Sequence, residues 1–137
     1  MFVATTFSTV NAIMPAKATH IAWDKGVWDF NVENLLDYSI TVNIDGIDHV
    51  IPPARIGSNG FRDSEDCTTF ENGFTRDSVL TYNGVKIPAL ITDETYPYLS
   101  SSWKDTFDEC RDIPECRIVA HTLRVESNGK FFILGLH

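Results

Sequence analysis

Polar and apolar residues alternate along Ser39-Ile40-Thr41-Val42-Asn43-Ile44, a period of two that predicts a strand with one buried face. Asp45-Gly46 follows, and Asp48 to Ile51 supplies the returning strand of a hairpin. The same logic pairs Ser78 to Tyr82 with Val85 to Ile91 across Asn83-Gly84, and Arg117 to Val125 with Lys130 to Leu134 across Asn128-Gly129. Asn59-Gly60 and Asn72-Gly73 are further turn signals, because these dipeptides tolerate the positive φ that two-residue loops demand. Pro88 cannot donate to a ladder, so its strand is expected at an edge or at a bulge.

One segment has helical spacing. Trp103, Phe107 and Cys110 recur at i, i+4 and i+7, Ser102 stands as cap with Asp105 as the acidic residue of a capping box, and Pro114 stops the run, giving an amphipathic helix near 102–112. Asn31 is read as opening a short helical turn over Val32 to Tyr38. Arg62 to Asp66 and Thr92 to Ser101 read as loops. The fold class is therefore mainly β (α+β): a chiefly antiparallel sheet, or a small barrel or sandwich of hairpins, with one helix.

Length and charge narrow this picture. A chain of 137 residues makes one domain spanning 1–137, and 43% apolar residues are enough for a real core. Eleven basic against nineteen acidic residues leave a net charge of −8, which repels polyanions and excludes a nucleic-acid duplex or an anionic membrane as the expected partner. An acidic surface suits a basic protein partner, and it also serves solubility. Met1 to Ala16 lacks a basic region ahead of its apolar stretch and does not read as a signal peptide, and no apolar run is long enough to cross a bilayer.

Cys67, Cys110 and Cys116 are an odd number in a chain large enough to fold without staples, which points to reduced thiols and a cytoplasmic protein. A disulfide between Cys110 and Cys116 is the alternative in an oxidising compartment. With His121 the cysteines contain the ligand types of a zinc site, but the separation of Cys110 from Cys116 does not fit a zinc knuckle. Cys67 with His49 or His121 could form a nucleophilic pair, although no local signature supports one. Asp45, Asp48 and His49, and likewise Asp63, Glu65 and Asp66, bring together oxygen-rich side chains without the spacing of a calcium loop. No phosphate loop, nucleophile elbow or His-Glu-x-x-His helix is present, so no cofactor, metal or catalytic residue is assigned and a non-enzyme is favoured.

What remains is a set of side chains suited to a local anion site: Arg55, Phe61, Arg62, Arg76, Arg117, His121 and Arg124. Guanidinium forks bind phosphates in pairs of hydrogen bonds, and aromatic rings stack bases. On this reading Arg62→Ala and Arg124→Ala are expected to cost about 1.5–3 kcal/mol of ligand affinity while leaving folding nearly unchanged.

Several short stretches also resemble a widespread family of small phage and prophage proteins, in which an Asn-Leu-Thr-Pro-His start precedes a hairpin, an Ile-Pro-Pro-Ser-Gly element and an Ala-Arg-Val strand. Asn34-Leu35-Leu36-Asp37-Tyr38, the strand Ile40 to Ile44 and Ile51-Pro52-Pro53-Ala54 stand in those places here. Asn83-Gly84-Val85-Lys86-Ile87-Pro88 and Ile118-Val119-Ala120 are similar to two later elements. Tyr38 stands where the family has His, Ala54-Arg55 where it has Ser-Gly, and either Arg55 or Arg62 could answer its arginine. The resemblance implies a phage setting and no settled activity.

The expectation is thus a non-enzymatic phage-encoded binding protein that antagonises host defence in the host cytoplasm. It would either sequester a small nucleotide signal or occupy a defence protein. A virion decoration subunit assembled through edge strands as a homo-oligomer is one alternative, and a small metal- or thiol-dependent enzyme is another.

Overall fold

The computed structural model describes residues 27–113 and 118–136. The strands there are β1 (Val27–Asn34), β2 (Ile40–Ile44), β3 (Ile47–Ile51), β4 (Thr68–Thr75), β5 (Val79–Tyr82), β6 (Val85–Pro88), β7 (Val119–Val125) and β8 (Phe131–Leu136). They form two four-stranded sheets, ordered β4-β1-β7-β8 and β3-β2-β5-β6. A 3₁₀ segment (Asp93–Tyr98) and the helix α1 (Ser101–Cys110) lie between β6 and β7.

The sheets close on one core. Trp28, Phe30 and Val32 of β1, Phe74 of β4, Leu123 and Val125 of β7 and Ile133 of β8 point inward from the first sheet. Ile40, Val42 and Ile44 of β2, Ile51 of β3, Leu80 of β5 and Ile87 of β6 join the same cluster from the second. Phe30 and Phe74 stack with centroids 4.4 Å apart at its centre. Two aromatic contacts bridge the sheets at their margins, His49 with Phe70 at 4.8 Å and Tyr82 with Phe131 at 5.2 Å. These contacts set β3 opposite β4 and β5 opposite β8, the arrangement of a two-sheet sandwich.

All three expected hairpins are present, as β2–β3, β5–β6 and β7–β8. Asp45-Gly46 and Asn83-Gly84 turn with both residues at positive φ, the geometry that matches strand twist. Asp45 does more than turn, since its two carboxylate oxygens accept from Ser78 Oγ and the Val79 amide and so fasten β2 to β5. Pro88 lies on β6, an edge strand, as its missing donor requires. The chain beyond Pro88 does not continue in that sheet as expected through Ile91. It crosses to the other one, where Ala120 donates to Ala89 and Ile91 to Ile118.

Other expectations are corrected. β1 and β4 occupy stretches where no strand is expected, and β1 runs parallel to β7, the single parallel pair among the six described strand pairs, so the sheets are chiefly antiparallel as expected. Val32 to Asn34 end β1 instead of beginning a helical turn. Asn34 is buried and terminates the strand: its amide donates to the Tyr38 and Ile51 carbonyls, and its side-chain oxygen accepts from Leu36. Asn72-Gly73 makes no turn but sits inside β4 as an irregularity, with the Asn72 amide donating to Asp29.

Thr92 to Ser101 is not an open loop, because Thr92 and Thr95 cap the 3₁₀ segment reciprocally. The helix begins one residue earlier than expected, after Ser100, and neither Ser102 nor Asp105 forms the expected capping box. Its buried face is as expected, with Phe107 and Cys110 buried and Trp103 packed against the core. Cys110 is disulfide-bonded, against the expected reduced thiol, while Cys67 is free; Cys116 lies outside the described residues. No described helix is long and apolar enough to cross a membrane.

Candidate functional site

The outward face of the first sheet carries a row of side chains set by strand register. Glu33 of β1 stands opposite Arg124 of β7, and Arg124 opposite Phe132 of β8. Arg124 Nε donates to Glu33 Oε1 at 2.7 Å. Glu33 is buried, only 9% exposed, so this ion pair holds a carboxylate that would be costly to strand. The bond uses one guanidinium nitrogen, and the two terminal nitrogens of Arg124 have no partner among the described residues.

Beside that row the start of α1 is brought in by a bridge between Leu99 and Ile133 and by the Ser100 amide donating to the Ile133 carbonyl. No side chain caps α1 and no acidic residue stands in its first turn. The positive end of the helix dipole is thus left for solvent or a ligand. A groove of about 480 Å³ runs between, lined by Leu99, Ser100, Ser101, Ser102, Lys104, Arg124, Glu126, Phe132 and Leu134. Lys104 reaches over the Tyr96 ring at 5.7 Å, and the phenol of Tyr96 donates to Asp108, a bond that holds its pKa above the ordinary value.

The chain matches no family model, no curated protein and no solved structure.

At another surface the loop after β3 forms a small finger. Ile56 bridges Arg62, the Gly57 amide donates to the Phe61 carbonyl at 2.7 Å, and Gly60 at positive φ turns the tip. Arg62 pins the finger down: Nη1 donates to the Ala54 carbonyl at 2.6 Å, and Nε and Nη2 both reach Asp37 Oδ1. Arg55 pairs with Asp66 at 3.3 Å, and its own amide donates to the same carboxylate.

The residues expected at one anion site are thus distributed. Arg55, Phe61 and Arg62 belong to the finger, and Arg124 alone of the set lines the groove. Arg76 is exposed in the turn between β4 and β5. His121 sits where β7 bulges against β8, with Nδ1 2.8 Å from Thr122 Oγ1. Arg117 lies outside the described residues. Cys67 lies 3.7 Å from Thr69 Oγ1, and His49 packs on Phe70. Among the described residues no group of three or more metal-ligating side chains gathers.

Sequence reasoning missed Lys104, Phe132 and the serines of α1 as neighbours of Arg124. Phe132 alternates with buried Ile133, a signal that it faces outward, but nothing local places α1 beside it.

Proposed function

We propose that this chain is a non-enzymatic binding protein that takes up a small anionic ligand of nucleotide type in the groove beside α1. The observation that carries this reading is the uncapped start of α1 sharing one groove with Lys104 and with an Arg124 whose terminal nitrogens are unspent. Backbone amides and a guanidinium fork suit a phosphate, and Phe132 and Leu134 offer an apolar wall to a base. In the phage setting implied by the sequence resemblance, such a protein would sequester a nucleotide signal of host defence. It would act in the host cytoplasm, where a reducing environment would open the Cys110 disulfide.

Calorimetric titration with inorganic phosphate, adenosine monophosphate and cyclic dinucleotides tests this. A nucleotide is expected to bind, and Lys104→Ala to weaken it about tenfold, the share of one charge-assisted contact. Absence of heat with every nucleotide overturns the small-ligand reading and leaves occupation of a defence protein.

A further inference from the structure

We infer that the finger formed by residues 55–63 is a docking site for a basic, apolar segment of another protein. The inference goes beyond the groove and uses none of its residues. Two large apolar side chains stand in water there: Phe61 is 73% exposed and Ile56 55%. Ile56 and Phe61 share a depression of about 300 Å³ with Leu35, Asp37, Arg62 and Ser127. Scattered exposed apolar residues need no explanation, but these are held on a pinned support. Arg62 fixes the finger to the Ala54 carbonyl and Asp37, and Asp63 donates its amide back to the Arg55 carbonyl at the base. A rigid aromatic anchor loses little conformational freedom on binding, which is what an interface hot spot needs.

Charge selects the occupant. Asp37, Asp63, Glu65 and Asp66 surround the finger, while Arg55 and Arg62 are already paired with Asp66 and Asp37. The local balance of four carboxylates against two guanidiniums has the same sign as the whole chain at −8. A nucleic acid or a second acidic copy would meet like charge, whereas Lys or Arg flanking an aliphatic or aromatic residue would meet opposite charge around an apolar seat.

Panning a displayed random dodecapeptide library on the full chain, followed by fluorescence polarisation with synthesised hits, tests the inference. Hits are expected to place Lys or Arg beside apolar residues and to bind more weakly as salt rises. Phe61→Ser should weaken them at least tenfold, with Ile56→Ser as an independent second variant, while Val50→Ser, an equally exposed change on β3, should leave them unchanged. Both finger side chains are exposed, so retention of the wild-type unfolding midpoint is expected and is measured alongside. No enrichment, an acidic consensus, or equal binding to Phe61→Ser overturns the inference. A dimer in sedimentation that Phe61→Ser dissolves also overturns it, by making a second copy the occupant. The nucleotide titration involves neither Phe61 nor Ile56, so the two readings fail separately.

Discussion

Arg62 and Arg124 are the same residue type, each paired with a carboxylate, yet they stand in opposite electrostatic situations. Arg62 directs three nitrogens at its own chain, and its partner Asp37 is 90% exposed. Arg124 gives one nitrogen to a buried Glu33 and keeps the rest. Arg62 is therefore a fastener whose salt bridge contributes little and whose bond to the Ala54 carbonyl contributes most. Arg124 is the counter-charge of a buried group and still has donors to offer a ligand. Counting arginines near hairpin ends cannot separate these roles, because the deciding quantity is the burial of the partner.

That difference ranks three substitutions. Arg124→Ala strands Glu33 and should lower unfolding free energy by about 2–3 kcal/mol in urea denaturation, contrary to the expectation of unchanged folding. Adding Glu33→Gln should recover much of the loss, and a cost below about 0.5 kcal/mol would break the contrast. Arg62→Ala should cost about 1 kcal/mol, the value of one partly buried hydrogen bond. Hydrogen exchange should then quicken at the Gly57 and Asp63 amides before the β2–β3 ladder responds. Arg55→Ala, whose side chain is 82% exposed, should change stability by less than about 0.5 kcal/mol. An order other than Arg124, Arg62, Arg55 would show that partner burial is not what distinguishes them.

The hairpins were legible because their information is local. Asp45-Gly46 and Asn83-Gly84 each supply two positive φ angles between runs of period two, and no distant contact is needed to read them. Asn72 also adopts positive φ, at 52°, but it does so inside β4 against Asp29, and only the register with β1 separates that bulge from a turn. Thr92 to Ser101 reads as irregular because Pro97 and two serines outweigh a Thr92–Thr95 box that lacks the usual acidic partner. For the groove, the sequence offers Arg124 only as one of several arginines near hairpin ends. Its partner Glu33, the facing helix and the choice of Phe132 over Phe61 all depend on strand order, which the period-two pattern does not carry.

The parallel pairing of β1 with β7 also governs when the fold can form. Arg124 and Glu33 are 91 residues apart, and every hydrogen bond between those two strands closes a loop of similar length. The three hairpins can zip as soon as their turns are made, whereas β1 is synthesised well before β7 and waits for it. Closure of so long a loop places folding toward the slow side of two-state domains, roughly milliseconds to seconds. Until then Asn31 to Asn34 present an open ladder edge, and this interval is when the newborn chain is most exposed to mispairing with its neighbours.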